Sequence, residues 1–417
     1  MRTERNEQKP NKKKSRRALK VLLVLILILA AAIAGSVYYA YRSTMDSLAV
    51  NFTKEHPAVE AGGSYASMDY VADSVGEVTV DNEFLEADTI GDKALVYTVT
   101  QPLFGGLLNP SKEFTLSYSV VDTIAPLILW NGSGTVLARG SDFDINNVLA
   151  YGDNIDPKPS LDVSGEVDMS TSGSYPLHAR VTDASGNSAE CDLTIYVSDS
   201  LPSYTDNAPR TKFSDFVSAN KGDGRSFGID VSTWQGDIDF KAVKAAGCDF
   251  VIMRIGYSVD GVVETDGKFD QNYKRARDAG LKVGIYLFSY DNTEDKARAS
   301  ADWIIEKLGG DSLDLPVVFD WEDFGHFQAY EMSFTGLNKL YDAFADQLSR
   351  SGYDCMLYGS KNYLEKIWTG TDERPVWLAH YTDKTDYKGP YVIWQASCTG
   401  RIDGIAGDVD MDIMYQK

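Results

Sequence analysis

The sequence predicts a multidomain chain: one N-terminal transmembrane helix, two all-β sandwich modules and a C-terminal α/β barrel. Three features predict it. Residues 21–41 carry no charged side chain. From about residue 48 to 200, short β-rich runs alternate with Gly, Asp, Asn, Ser and Pro, and no helical period appears. From residue 226 onward, strand and helix patterns alternate. At 417 residues the chain is long enough for roughly two to four domains.

The N-terminal element rests on length and charge. Val21 to Tyr41 is a run of 21 uncharged residues. A helix of that length spans about 30 Å, the thickness of a bilayer core. Residues 1–20 hold nine basic and two acidic side chains. Basic flanks stay cytoplasmic, so this segment is expected inside and the body outside. Tyr38, Tyr39 and Tyr41 fall where an aromatic interface belt belongs. A cleaved signal peptide is the competing reading, with Ala32-Ile33-Ala34 before Gly35 as the cleavage motif. The apolar run is longer than an ordinary signal core, which favours an uncleaved anchor.

Charge and cysteine usage exclude several classes. The whole chain carries −21, and with +7 in residues 1–20 the remainder carries −28. An acidic body argues against nucleic acid, which needs a basic face. Four Cys without a C-x-x-C pair exclude a disulfide-dense scaffold and a cysteine zinc site. Four scattered His make a histidine metal cluster improbable. No metal, cofactor or protein partner is expected.

Residues 48–121 and 122–198 read as two tandem β modules, each ending in two alternating strands. In the second, Leu177–Val181 and Cys191–Val197 flank Asp183-Ala-Ser-Gly-Asn187, a hairpin turn signal. Residues 122–198 resemble bacterial immunoglobulin-like surface modules through DTIAP, the GDN turn and VTDASGN. Asp153, Asp156 and Asp183 suit calcium, but capping of turns is the commoner use of such acids. Both modules read as spacers, with a ligand-binding role left open. Residues 199–225, poor in apolar period, read as a linker.

Residues 226–417 give eight strand patterns, five of them followed by helices. The strands are Phe227–Val231, Phe250–Gly256, Val283–Phe288, Val317–Asp320, Met356–Gly359, Val376–His380, Tyr391–Gln395 and Asp410–Tyr415. Alternation implies parallel strands, and eight close into a barrel whose site lies at the C-terminal strand ends. Acids sit there: Asp230 in GIDVSTWQG, Asp320 and Glu322 in LPVVFDWED, and Asp410 in GDVDMDIMY. Residues two apart share a strand face, so Asp320 and Glu322 project together. In a closed barrel the first and last strands adjoin, which brings Asp230 to Asp410. Crowded carboxylates raise at least one pKa, and a carboxyl protonated near neutrality is a general acid. Six of seven Trp lie in this domain. Trp234, Tyr257, Tyr286, Phe288, Trp321, Trp377, Tyr381 and Trp394 lie near strand ends, where flat rings beside carboxylates suit a sugar chain. Trp303 and Trp368 read as packing, and His326 and His380 as non-catalytic.

These stretches, together with FDQNYKRARDAGLKVGIYLFSY, VWLAHYT and VIWQASCTG, resemble the glycoside hydrolase family 25 lysozymes across nearly the whole domain. The resemblance implies a TIM-like barrel of five βα units plus three strands. It implies cleavage of the β-1,4 bond between N-acetylmuramic acid and N-acetylglucosamine in peptidoglycan. It makes Glu322 the acid/base and Asp320 its partner carboxylate, with Asp230 and Asp410 completing the mouth. Substrate contacts are then expected at Trp234, Gln235, Tyr257, Tyr286, Phe288, Trp377, Tyr381 and Trp394. Three positions depart from the family pattern: His380 for Gln, Ala396 for Tyr and Asp412 for Asn. Direct attack by Asp320 and attack by the substrate's own N-acetyl group both remain open, the second slightly favoured because both carboxylates lie on one side of the sugar. A barrel that binds wall glycan without turnover is the alternative function, opposed by four intact mouth carboxylates.

Overall fold

The computed structural model describes residues 12–203 and 205–415. Residues 1–11 of the expected basic tail lie outside the described residues. The chain forms two compact units, Met1–Asp122 and Thr123–Lys417.

The first unit opens with the helix Lys12–Ser47. Within it, Arg16–Ser47 is long and apolar enough to cross a membrane. Its leucines and isoleucines are exposed all round, Leu27 at 68%. A soluble helix buries an apolar stripe; one apolar on every side suits a hydrocarbon surrounding. A four-stranded sheet follows, in the order Ala58–Glu60, Ser111–Val121, Gly91–Thr100, Glu77–Val80, beside a ribbon of Ala49–Phe52 and Val71–Val75. Strand alternation buries Leu95, Tyr97 and Val99 with Leu116, Tyr118 and Val120.

The second unit begins with a similar module. Its sheet runs Ser160–Ser164, Gly173–Thr182, Ser188–Ser198, Val136–Ala138, and a ribbon pairs Leu127–Trp130 with Ala150–Gly152. Leu177, Ala179 and Val181 pack on Leu193, Ile195, Val148 and Leu149. Asp183 and Asp153 cap turns: Asp183 Oδ1 accepts from Asn187 N at 2.8 Å, and Asp153 Oδ1 from Asp156 N at 2.7 Å. Their carboxylates approach within 4.8 Å of each other.

The segment 199–225 is not wholly a linker. Thr211–Lys212 pairs in parallel with Gly400–Arg401, and Phe213–Asn220 is a helix that buries Phe213 and Phe216 on the barrel. One short helix with two aromatic contacts is too brief to show a period.

The barrel strands are β1 (Arg225–Val231), β2 (Phe250–Val259), β3 (Lys282–Ser289), β4 (Val317–Asp320), β5 (Cys355–Ser360), β6 (Val376–Ala379), β7 (Ile393–Arg401) and β8 (Val409–Tyr415). They close in that order, β8 pairing back to β1. Helices α1 (Phe240–Ala245), α2 (Phe269–Asp278), α3 (Glu294–Leu308), α4 (Phe334–Ser349) and α5 (Lys361–Lys366) follow β1 to β5. An added strand, Val262–Thr265, forms a hairpin with β2. One expectation needs correcting: β8 runs antiparallel to both neighbours. The connection from Arg401 to Val409 is too short for a parallel crossover, so only a hairpin is possible. That reversal places the start of β8 at the rim where the parallel strands end.

Alternation divides the side chains. Val317, Phe319 and Trp321 face the helix layer, as do Ile229, Leu357, Leu378, Trp394 and Met411. Phe250, Ile252, Val318, Met356, Tyr358, Trp377 and Ile393 fill the interior. All four Cys are free thiols.

Candidate active site

Three strands deliver carboxylates to one rim. Asp230 on β1 pairs in register with Asp410 on β8. Asp320 ends β4, and Glu322 follows one residue past the buried Trp321. Asp412, two residues beyond Asp410, shares its face and is fully buried. The predicted four acids are therefore brought together, and a fifth joins them.

Burial and mutual repulsion set their protonation. Desolvation, then the charges of Asp410 and Asp412, hold Asp230 well above the usual carboxylate range. Desolvation and the Glu322 charge do the same for Asp320, opposed by Arg254. Asp320 Oδ1 is buried and has no hydrogen-bond partner among the described residues. Glu322 is open to solvent at the rim, yet surrounding protein and the Asp410 charge push its pKa up to about 7. Asp410 rises to about 6, mainly through desolvation. Asp412 rises for the same cause, although its Oδ1 accepts from Trp377 Nε1 at 2.9 Å. Groups this close release protons as a set. The arrangement can hold one carboxyl protonated beside an ionised neighbour near neutral pH.

Polar neighbours fix the set. Gln395 Nε2 donates to Asp230 Oδ2 at 2.8 Å. Gln395 Oε1 accepts from Tyr358 Oη and Tyr381 Oη, each at 2.9 Å. Arg254 is a nearby cation, and Asp266 clamps it at 2.8 Å. Asp266 also accepts from Thr233 N at 3.0 Å, at the start of the turn bearing Trp234. Trp321 Nε1 donates to Asp291 O at 3.0 Å, and Asp291 itself is buried and bound by Ser258 and Ser300. Sequence reasoning assigns no site role to Arg254, Asp266, Asp291, Tyr358 or Gln395, and marks Asp412 only as a departure from the family pattern. Period two from Asp410 and from Ile252 marks Asp412 and Arg254; nothing local marks the rest.

The aromatic residues divide. Trp234 is 82% exposed and Tyr381 54%, so both offer ring faces at the surface. Tyr286, Phe288 and Tyr257 are half-buried, and Tyr257 Oη donates to Glu264. Gln235 serves its own turn: Oε1 accepts from Ser232 N at 2.8 Å. Trp377 is buried against Tyr358 and Tyr286 inside the barrel, with ring centroids 4.8 and 6.3 Å away. Trp394 faces the helix layer and donates from Nε1 to His380 O at 2.8 Å. Neither exposes a face to a sugar, contrary to the expectation for both. Their positions follow strand parity: Gln395 points inward, so Trp394 points out.

A closed barrel with carboxylates at its rim defines a glycosidase-type site. Residues 229–405 match the family described as Glycosyl hydrolases family 25, and residues 129–197 match the bacterial surface protein Ig-like domain. The chain thus carries a family 25 domain preceded by an Ig-like domain. It is 33% identical over 196 residues to lysozyme M1 of Streptomyces globisporus, covering 44% of this chain and 65% of that protein. It is 30% identical over 187 residues to the autolytic lysozyme of Clostridium acetobutylicum, covering 44% and 54%. The match therefore spans less than two thirds of either relative. A crystal structure of a bacterial lysozyme from Streptomyces coelicolor aligns at 28% identity and a TM-score of 0.40, covering 48% of this chain and 94% of that one.

Proposed function

We propose that the protein is a peptidoglycan hydrolase, a muramidase cutting between N-acetylmuramic acid and N-acetylglucosamine, held at the outer face of the cell membrane by its N-terminal helix. The observation that carries the chemistry is the rim of five carboxylates with Glu322 poised at about 7. Family 25 membership of the domain and likeness to two lysozymes support the substrate.

Glu322 is the general acid. Half of it holds a proton near neutrality, and it protonates the leaving glycosidic oxygen as an oxocarbenium-like state forms. Asp320 meets the developing positive charge. Burial and the Glu322 charge raise its pKa and Arg254 opposes them, so Asp320 serves in the ionised form that Arg254 and the developing cation together favour. Both routes for the next step use this anion: it attacks the anomeric carbon, or it orients the substrate's N-acetyl group to do so. Asp230, Asp410 and Asp412 keep protons in the rim through burial and mutual repulsion. Trp234 and Tyr381 supply faces for sugar C–H stacking. A glycan binder without turnover has no use for five repelling acids, whose burial costs stability.

The test is digestion of purified peptidoglycan with mass analysis of the new reducing ends. Ends in N-acetylmuramic acid are expected. Ends in N-acetylglucosamine would identify a glucosaminidase, and an undigested wall would refute hydrolysis.

A further inference from the structure

The Ig-like module does not stand apart from the barrel; it is bonded to the turn that follows Glu322. The turn Phe324–Tyr330 leads from β4 to α4. Gln328 Nε2 donates to two carbonyls of the module, Asn146 O and Leu149 O, each at 3.1 Å. Phe334 N donates to Asp153 O at 2.8 Å and Thr335 N to Asn154 O at 3.1 Å. Those two amides are the first of α4, which have no partner within their own helix. The module therefore accepts from the first two amides of α4, and the N-cap Ser333 Oγ accepts from the third, Gly336 N, at 3.1 Å. Packing is equally close. A Cβ on Gly152 would lie 2.6 Å from the Phe327 ring and 2.8 Å from that of Phe334. Leu127 and Leu129 of the module pack on the barrel's own core.

This contact reaches the acids through one side chain. Phe327 meets Trp321 edge-on at 5.6 Å, and Phe324 and Tyr330 meet it at 5.0 Å. Trp321 lies between Asp320 and Glu322 in the chain, so its seat sets the direction of both. Phe324 N also donates to Glu322 O at 2.7 Å. A spacer needs none of these bonds.

We propose that the module is a positioning element of the active site, with Gln328 as the positioning residue through which it orients Trp321 and hence Glu322. The inference rests on the hydrolase reading above. Small displacements of a catalytic group are costly, on the order of 10²-fold per ångström.

The experiment uses the full chain and solubilised glycan strands, with kcat, KM and the pH profile measured beside the thermal midpoint. Gln328→Ala is expected to lower kcat about tenfold, the equivalent of ~1.4 kcal/mol, with KM little changed. It is also expected to move the alkaline limb of the profile, because Glu322 changes surroundings. Gln328→Lys, which keeps a donor, restores much of kcat; Gln328→Glu, which keeps the length but loses the donors, does not. Gly152→Val pushes Phe327 and lowers kcat in the same way. A lower thermal midpoint with wild-type kcat and an unmoved pH limb in Gln328→Ala would overturn the proposal, whether or not Gly152→Val folds. A wild-type chain without turnover would instead refute the hydrolase reading, so the two failures are distinct.

Discussion

Asp230 and Asp410 stand directly opposite each other across the seam where β8 closes on β1. Like charges on paired positions repel, and each is further crowded by burial. The antiparallel course of β8 is what makes this pair. A parallel eighth strand would begin at the opposite end of the barrel and carry Asp410 away from the mouth.

The pair tunes Glu322. Desolvation and then the Asp410 charge raise its pKa, so Asp410→Asn should let it fall part of the way from about 7 toward the ordinary carboxylate value. The acid form is the active form, and activity is lost as pH rises through that pKa. The alkaline limb of kcat/KM should therefore move to lower pH in Asp410→Asn, with a modest loss at the optimum. Asp230→Asn should act in the same direction and less strongly, because Asp410 is the charge that bears on Glu322. A limb that stays in place would separate Asp410 from Glu322.

Glu322→Gln keeps shape and hydrogen bonding but has no proton to give. General acid–base help is typically about 10²–10⁴-fold, so turnover should drop by that range. Asp320→Asn should also cut the rate severely, because it removes the anion beside the developing cation. Both variants should keep the wild-type circular dichroism and still sediment with insoluble wall. A folded Glu322→Gln protein with near-normal turnover would move the search for the acid to Asp230 or Asp410.

The buried acids should cost stability. Asp412 has its carboxyl pKa raised in the fold, so the folded state holds a proton more tightly than the unfolded chain. Its contribution then declines as pH rises from the ordinary carboxylate range through the raised value. Asp412→Asn retains the oxygen that accepts from Trp377. It should raise the thermal midpoint at neutral pH, and the gain should vanish below about pH 4, where both states are protonated. A gain that persists in acid would point to packing rather than charge.

The helix Lys12–Ser47 leaves its apolar surface uncovered. Fractionation should place the protein with membranes, resistant to carbonate and high salt. Recovery of a soluble form beginning near Gly35 would identify the segment as a cleaved signal.

The barrel's strands and its acidic rim were legible because both rest on local rules. Period two joins Asp320 to Glu322 on one face, and closure of the sheet between β1 and β8 brings Asp230 to Asp410. The same period, applied to neighbouring strands, would have separated Trp377 from Trp394. Proximity to a strand end does not imply exposure, because the interior of this barrel is filled by Trp377 and Tyr358. Arg254 carries no local signal of its role, which depends on Asp266, from the loop after Val262–Thr265, and on Asp320, from β4. The bonds of Gln328 join positions 179 and 182 residues apart in sequence, and no local pattern encodes such a pairing.

The boundary at 199–225 gives the last prediction. A domain cut at residue 222 removes Thr211–Lys212 from the edge of β7, Phe216 from Phe227, and Phe213 from the barrel core. It also uncovers Phe327 and Phe334, which the module shields at Gly152. Each buried Phe is worth about 1.5–3 kcal/mol, so the loss is large beside an ordinary domain stability of about 5–15 kcal/mol. Residues 123–417 should unfold in one transition by calorimetry. Residues 222–417 should melt well below it, or aggregate during expression, and residues 205–417 should fall between. Equal midpoints for the 222–417 and 123–417 chains would show that neither the segment Thr211–Asn220 nor the module contributes to the barrel's stability.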